Sequence, residues 1–416
     1  MKISRFIRRV CALGFLVMSA ASVTAADEAV ADETGNAIAD ALTGGTAGLK
    51  FRYRYEFVDQ DGFADNANAS TLLVRLNYET GTWRDWSGFL EFDHIVETLI
   101  KDYNSGAGTS GASRNRYPVV ADPGGPDLNQ LYLQYTPGDD VRVRLGRQRI
   151  NLDDQRFVGG VGWRQNEQTY DSFSVGYDGW SNTSVFYSYV ANVNRIFGSS
   201  VPAGSHEHNT HLLNVAVELN PDFKIVGYAY LIDNDDAAAF STNTVGLRGT
   251  GGVALAGGRL NLLGEFARQS DAANAPAGYD ANYYRLQGIW KRGGFTAAAG
   301  FESLGSDNGQ GFRTPLATLH AFNGWADLFL GTPADGLEDL YLRVGYDLKP
   351  WALEVRYHDF GAEATSRDFG TEISLSAKRP LGERYALLIQ LASFESDDAA
   401  AFDDTLKAWL MLTAMF

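Results

Sequence analysis

Charged side chains recur at every second position in several stretches of the sequence. In the clearest stretch, Lys50, Arg52, Arg54 and Glu56 alternate with the apolar and aromatic residues between Leu49 and Val58. Arginine supplies most of the positive charge, with 27 Arg against 8 Lys in the chain. Because a planar guanidinium can donate two parallel hydrogen bonds to one carboxylate, this pattern predicts a surface that can hold anionic groups.

Acidic side chains share these alternate positions, which leaves two interpretations open. Either the two signs pair with each other in a ladder within a wet interior, or local arginine clusters remain free to hold carboxylates. Arg142 and Arg144 lie two residues apart and would form one contiguous basic spot on a strand. The residues that we predict to line a polar lumen or to bind a solute there are Arg52, Arg54, Arg75, Arg142, Arg144, Arg156, Arg164, Arg285, Arg343, Arg356, Glu91 and Asp93.

A long loop at residues 150–169 carries both signs of charge on a glycine-rich backbone. It contains Asp153, Asp154, Arg156, Arg164 and Glu167 around three glycines. Opposed charges on such a loop can create the transverse field of a channel constriction, if the loop folds into a barrel. The alternative is an external loop that packs against its neighbours, and the sequence leaves both open.

No arrangement of residues predicts catalysis or a metal site. Three histidines in 206–211 straddle a predicted loop and the start of a strand, so convergent ligation is not expected. Asp93 and His94 are neighbours on a strand and point to opposite faces. The glycines of 249–258 lack the spacing and the following helix of a phosphate-binding loop. We expect neither an enzyme nor a cofactor.

The alternation that carries these charges predicts β-strands throughout the chain. Their even number and their length of about ten residues are typical of a closed transmembrane barrel. The last strand ends on Phe416, and closure would pair it with the first strand and remove both edges. The eighteen predicted strands are 49–58, 70–80, 86–96, 128–135, 140–149, 170–177, 182–190, 210–219, 223–231, 242–250, 259–268, 282–291, 295–303, 337–347, 351–359, 369–378, 384–394 and 405–416.

The connections between the strands alternate between short turns and long loops. Long connections are predicted at 97–127, 150–169, 191–209 and 304–336. Aromatic residues crowd the short turns, and a sparser set marks the opposite strand ends. Short periplasmic turns, long extracellular loops and two aromatic belts indicate an all-β barrel in the bacterial outer membrane.

The N-terminus predicts export from the cytoplasm. A basic segment, an apolar run and a small-residue cleavage site make 1–25 a signal peptide, whose Cys11 is the only cysteine of the chain. Residues 26–45 are small and acidic, and we expect a flexible segment that is either a periplasmic lead-in or a short plug. The barrel then spans 46–416. The net charge of −16 argues against nucleic acid as a partner.

Three segments of the sequence resemble the alginate export family of outer-membrane proteins. These are Leu145–Ser172 (LGRQRINLDDQRFVGGVGWRQNEQTYDS), Tyr117–Pro123 (YPVVADP) and Thr314–Asp327 (TPLATLHAFNGWAD), and the likeness runs from about Leu49 to Phe416. The resemblance implies an eighteen-stranded channel, embedded in outer-membrane lipid, that passes an anionic or polar solute such as an anionic polysaccharide. It also implies a periplasmic polysaccharide-export apparatus as a partner. The alternative is an uptake porin, general or substrate-specific, for small solutes.

Overall fold

Eighteen antiparallel strands form one closed barrel in a computed structural model that describes residues 28–416. The predicted signal peptide, 1–25, lies outside the described residues. Each of the eighteen predicted strands overlaps one strand of the barrel, so the predicted fold class and strand number are confirmed. This includes the glycine-rich region 242–268, which forms the strands Thr242–Leu255 and Gly258–Asp271.

The barrel strands follow one another in chain order, apart from a two-stranded hairpin, β14 and β15, within one loop. Their bounds are β1 (Thr46–Gln60), β2 (Ala67–Glu79), β3 (Trp86–Asp102), β4 (Gly125–Tyr135), β5 (Val141–Gln148), β6 (Thr169–Trp180), β7 (Thr183–Asn194), β8 (Ser205–Asn220), β9 (Phe223–Ile232), β10 (Thr242–Leu255), β11 (Gly258–Asp271), β12 (Asp280–Arg292), β13 (Phe295–Leu304), β14 (Ser306–Asp307), β15 (Gln310–Gly311), β16 (Leu337–Leu348), β17 (Trp351–Gly361), β18 (Asp368–Pro380), β19 (Tyr385–Ser396) and β20 (Thr405–Met415).

The barrel closes between its first and last strands. β1 pairs with β20 in a register that places Arg54 opposite Met411. The backbone N–H of Leu49 donates to the Phe416 carbonyl at 3.0 Å, and the Phe416 N–H donates back at 2.9 Å. The Phe416 ring lies edge-on to Phe51, 6.3 Å away. Closure therefore satisfies the edge groups that an open sheet would expose to lipid.

The two faces of each strand have opposite chemistry, as the alternation predicts. On β1, the side chains of Arg54 and Glu56 are fully buried on the inner face. Leucines dominate the outer face, where Leu76 and Leu286 are 54% and 64% exposed. These exposed leucines meet the hydrocarbon of the membrane, so the hydrophobic band lies outside and the charged groups lie inside.

The connections fall on two sides, as predicted. One side has short turns such as 221–222 and 256–257, and the other has loops that reach their greatest length at 305–336. Two of the long connections matter for the interior of the barrel. We call the β5–β6 connection, residues 149–168, loop L3 and the β13–β16 connection, residues 305–336, loop L7.

A helix, α1 (Glu28–Thr43), precedes the barrel in the segment that the sequence predicts to be flexible. Its end contacts the first short turn, where the Tyr78 hydroxyl donates to the Leu42 carbonyl at 2.6 Å and the Gly81 N–H donates to the Ala41 carbonyl at 2.8 Å. Within residues 28–416, no helix combines the length and the hydropathy needed to cross a membrane.

Candidate functional site

Loop L3 folds into the barrel and joins loop L7 there, so the interior interpretation of residues 150–169 is the correct one. Val158 forms a parallel bridge with Leu316. The Gly159 N–H donates to the Leu316 carbonyl at 2.8 Å, and the Thr318 N–H donates to the Gln155 carbonyl at 3.0 Å. The two loops therefore form one unit, which we call the L3–L7 clasp.

Glycine in the clasp permits close approach between the two loops. A Cβ atom added at Gly159 would lie 2.3 Å from the Thr318 hydroxyl oxygen. The neighbouring Val161 has a φ of 51°, a left-handed conformation that a β-branched residue adopts only when its surroundings impose it. The absence of a side chain at Gly159 therefore allows the two loops to pack against each other.

An apolar cluster fixes the clasp against the barrel wall. The Phe157 ring of L3 lies 5.2 Å from the Tyr283 ring of β12 and 6.0 Å from the Phe312 ring of L7. Farther along L7, the Phe329 ring lies 4.5 Å from the Phe360 ring of β17. This packing holds both loops inside the lumen and narrows it.

Several predicted arginines anchor L3 to β1. The Arg52 guanidinium donates to the Gln165 side chain at 2.8 Å and to the Gly162 carbonyl at 2.9 Å. Arg54 donates to the Trp163 carbonyl of L3 and, at 2.9 Å, to the Asp122 carboxylate in the β3–β4 connection. Both guanidiniums are buried beneath the loop, so their donors hold protein groups in place.

Arg164 links three parts of the chain. Its guanidinium lies 3.1 Å from Glu56 on β1 and 3.0 Å from Asp327 in L7. Asp327 also accepts from Lys407 on β20 at 3.2 Å. Burial raises the pKa of Asp327, but the charges of His320, Lys407 and Arg164 outweigh burial and hold that pKa well below the usual range of an aspartate.

A second ion-pair network joins L3 to β2 and β3. Arg75 donates to both oxygens of Asp93, at 2.7 and 2.6 Å, and to Glu167 at 2.8 Å. Glu91 lies 3.0 Å from Arg149. Burial opposes ionisation of Glu167, but Arg75 and Arg149 lower its pKa to about 2. The carboxylate is therefore charged at neutral pH.

A third network crosses to β12 and β13. Arg156 donates to Glu302 at 2.7 Å and to the Asn323 side chain of L7 at 2.9 Å. Arg285 donates to Asp154 of L3 at 2.7 Å. The predicted residues in these three networks therefore bond the loops to the barrel wall, most of them through ion pairs and Arg52 through uncharged acceptors. They are Arg52, Arg54, Arg75, Arg156, Arg164, Arg285, Glu91 and Asp93.

The sequence does not predict that L7 folds inward, so Asp327, His320 and Trp325 are not among the predicted site residues. The imidazole of His320 stacks on Trp163 of L3, with ring centroids 4.1 Å apart. The N–H groups of Trp325 and Ala326 donate to Glu372 at 2.6 and 3.0 Å. The sequence of 314–327 is unusual and carries part of the family resemblance. Nothing in it indicates whether the loop folds into the barrel or away from it.

Contrary to the prediction from the sequence, the three histidines in 206–211 do not straddle a loop and a strand start. All three lie on β8, where His206 and His208 are buried and His211 contacts Tyr187. Within residues 28–416, no group of three or more His, Cys, Asp or Glu side chains is arranged to hold a metal ion.

The short-turn half of the barrel interior has a different charge arrangement, and we call it the inner wall. Arg142 is exposed, and Arg144 donates to the Gln134 side chain at 2.7 Å and lies over the Tyr132 ring. Both project from β5, as the predicted basic spot requires. Five inner-wall residues have no carboxylate of the described residues within 4 Å of their charged nitrogens. They are Lys50, Arg142, Arg144, Lys291 and Lys378.

The last two predicted residues, Arg343 and Arg356, share one carboxylate on the inner wall. Glu354 lies 3.6 Å from Arg343 and 2.7 Å from Arg356. Arg356 also lies over the Trp325 ring, 4.4 Å from its centroid. These side chains line a cavity of about 390 Å³ that also includes Lys291, Lys378 and Gln390.

Comparison with known proteins connects this architecture to a family. A sequence model of the alginate export family matches residues 45–302, a shorter region than the predicted likeness, and Thr314–Asp327 lies beyond it. No curated protein sequence matches the chain significantly.

Solved structures share the fold at low sequence identity. OccAB1 of Acinetobacter baumannii is 12% identical with a TM-score of 0.71, and the alignment covers 90% of this chain and 97% of that one. OccK3 (OpdO) of Pseudomonas aeruginosa is 13% identical with a TM-score of 0.70, covering 91% and 97%. OccK9 (OpdG) of the same organism is 12% identical with a TM-score of 0.70, covering 90% and 100%.

Proposed function

The chain belongs to the alginate export family, and from that premise we propose that the channel passes anionic solutes along its cationic inner wall. The family and the fold are those of outer-membrane transport channels. The observation that carries the proposal is the set of inner-wall cations without a nearby carboxylate. These are Lys50, Arg142, Arg144, Lys291 and Lys378.

The position of these cations explains why they, and not the buried arginines, would act on a solute. Arg164 and Arg75 already hold two or three carboxylates each, so a passing anion would have to displace them. Arg142 is exposed, and a solute anion can approach it without breaking an existing ion pair. Fixed positive charges that no adjacent carboxylate neutralises raise the local concentration of anions inside a low-dielectric wall.

The test is the reversal potential of the channel in a planar bilayer under a salt gradient. We expect wild-type protein to show stable single-channel steps with anion preference, and the double variant Arg142→Gln/Arg144→Gln to lose much of that preference. Arg268→Gln is the matched control, because Arg268 is exposed and paired with Asp280 at the long-loop end of β11. Equal reversal potentials in wild type and double variant would contradict the proposal.

The L3–L7 clasp favours a second candidate, an uptake porin for small solutes. A polymer would have to pass two loops that are bonded to each other and packed against the wall, whereas a small solute needs only the space that they leave. Exclusion of uncharged polyethylene glycols of graded size from the conducting channel distinguishes the two. A cut-off near the size of a monosaccharide supports small-solute uptake. A cut-off that admits long chains supports polymer export, for which a periplasmic polysaccharide-export apparatus remains the predicted partner.

A further inference from the structure

We propose that the lipid-facing surface of the barrel has a specific binding site for one zwitterionic phospholipid of the phosphatidylethanolamine class, from the periplasmic leaflet. The site combines an apolar groove across β2 to β5 with the charged first short turn, residues 80–85. Because it lies on the outer face of the wall, the inference goes beyond the proposed function and does not depend on which solute passes through the lumen.

The groove lies in the outer face of the wall, next to the short turns. Leu90 of β3 lies opposite Tyr78 of β2 and Leu131 of β4 in the register, so the three side chains share the lipid-facing side. Leu133 and Leu145 pair in the same way between β4 and β5, and both are exposed. The groove has a volume of about 400 Å³, and its outward-facing lining includes Tyr78, Gly88, Leu90, Leu131, Leu133 and Leu145.

A missing side chain at Gly88 creates much of this space. Gly88 lies opposite Leu133 on the lipid-facing side. A Cβ atom added at Gly88 would lie 3.5 Å from the Thr80 methyl group and 3.9 Å from a Leu133 methyl group, which are ordinary contact distances. The backbone would therefore tolerate a side chain at this position, and glycine leaves the space to another molecule.

A hydrocarbon chain is the occupant that suits the groove. The strands here cross the hydrocarbon layer of the membrane, where an unfilled space would lose the dispersion contacts of its lining. The Tyr78 ring cannot turn inward to fill it, because its hydroxyl donates to the Leu42 carbonyl at 2.6 Å and accepts from the Gly45 N–H at 3.1 Å. Every membrane lipid carries such a chain, so the groove by itself does not select one lipid.

The first short turn provides a cation for the phosphate of the headgroup. Thr80 belongs to both the groove and this turn, and its hydroxyl accepts from the Gly88 N–H at 2.9 Å. Arg84 in the turn is exposed, and its guanidinium lies over the Trp83 ring, 5.1 Å from the centroid. No carboxylate of the described residues lies within 4 Å of the Arg84 guanidinium. A lipid phosphate can accept a charge-assisted hydrogen bond from it.

Exposed carboxylates in two adjacent turns call for a second charge, a cation beside the phosphate. The first turn contacts the β4–β5 turn, where the Thr136 N–H donates to the Asp85 carbonyl at 2.9 Å. Asp85, Asp139 and Asp140 are exposed, and none has a basic group within 4 Å in the described part of the chain. An ethanolamine headgroup carries both a phosphate and an ammonium group, so it complements both signs. A phosphatidylglycerol headgroup has no cation and would be repelled by these carboxylates.

The experiment is native mass spectrometry of the folded barrel after incubation in detergent with equimolar phosphatidylethanolamine and phosphatidylglycerol of identical acyl chains. We expect the wild type to retain one phosphatidylethanolamine in preference to phosphatidylglycerol by about threefold, the range of one exposed ion pair. Retention of no lipid, or a preference for phosphatidylglycerol, would overturn the proposal. A dimer without lipid would assign the groove to a contact between two copies and would overturn it as well.

The groove is tested by filling it. Gly88→Leu places a side chain in the space of the acyl chain and is expected to abolish retention of both lipids. The matched control is Gly288→Leu, because Gly288 lies opposite the lipid-facing Leu262 and an added Cβ would meet only Leu260 and Leu262 methyl groups, at 3.6 and 3.8 Å. Electrophoretic mobility before and after heating verifies that both variants fold. Equal lipid retention in the two variants would refute the site.

The headgroup is tested separately. Arg84→Gln is expected to lower retention of both lipids about threefold, whereas Arg292→Gln, on the exposed short turn after β12, is expected to have no effect. The triple variant Asp85→Asn/Asp139→Asn/Asp140→Asn is expected to remove the preference for phosphatidylethanolamine while lipid is still retained. A merely structural role would not produce this separation. Unchanged lipid preference in the triple variant, or unchanged retention in Arg84→Gln, would overturn the assignment of the headgroup.

Discussion

Arginine has two different roles in the two halves of the barrel interior. In the clasp region, Arg164 is buried and lies within hydrogen-bond distance of two carboxylates. On the inner wall, Arg142 faces the lumen from a strand of the same sheet and has no carboxylate within 4 Å among the described residues. The number of partners, and not the residue type, therefore separates an arginine that holds the fold together from one that is available to a solute.

The largest expected effect comes from breaking the clasp region. Replacing Arg164 with Met leaves Glu56 and Asp327 buried without this counter-ion, and removing one partner of a buried ion pair costs about 3–5 kcal/mol. We expect a lower free energy of unfolding in urea titrations and a larger single-channel conductance, because L3 and L7 lose a shared anchor.

Arg142→Met is the control for this comparison, since Arg142 has no comparable ion pair. We expect its free energy of unfolding to stay close to that of the wild type. If Arg164→Met and Arg142→Met are equally stable, the distinction between the two halves is wrong. Arg156→Ala provides a second variant of the clasp region, because it leaves Glu302 without its 2.7 Å partner.

A smaller effect is expected from separating the two loops without changing a charge. The added methyl group of Gly159→Ala would meet the Thr318 hydroxyl at 2.3 Å, and overpacking of this kind typically costs about 1–3 kcal/mol. Faster proteolysis of L3 in the folded barrel measures the loosening. Gly162→Ala is the control, because its added Cβ would approach Glu167 no closer than 3.7 Å. Equal cleavage rates in the two variants would show that the loops are not held by this contact.

Removing a cation from the inner wall is expected to change the ion selectivity of the channel and to leave its stability nearly unchanged. Arg142→Ala removes an exposed cation without an ion pair, so we expect a shift of the reversal potential toward non-selectivity while the unfolding midpoint stays the same. This result would sharpen the contrast with Arg164. Loss of stability with unchanged selectivity would reverse the two roles.

The smallest effect concerns pH. Burial opposes ionisation of Glu167, but Arg75 and Arg149 lower its pKa from 4.5 to about 2. Because this pKa is lower in the folded protein, the contact stabilises the fold fully above pH 4.5, and the contribution is lost as the pH falls through about 2. Unfolding midpoints measured across this window should decrease in the wild type and should depend less on pH in Glu167→Gln. Parallel curves would show that L3 is not anchored by this charge.

Much of the fold could be predicted from local sequence, but only part of the site could. Alternation places Arg52, Arg142 and Arg343 on the inner face because a strand has only two faces, and the structure confirms that placement. Nothing local to L7 indicates that Asp327 reaches Arg164 and Lys407, because that meeting depends on how a long loop packs. The predicted residues are therefore correct in orientation, while their division into paired and available groups could not be predicted.

The barrel, its strand number and the inward-facing side chains follow from the residue pattern, since a period of two and a requirement to pair every backbone group in lipid leave few other solutions. Which inward charges neutralise each other depends on the packing of the loops. Two charges neutralise each other only when they lie within a few ångströms. The partners here are more than a hundred positions apart in the sequence, as Arg164 and Glu56 are. Those distances are set when L3 and L7 pack inside the closed barrel.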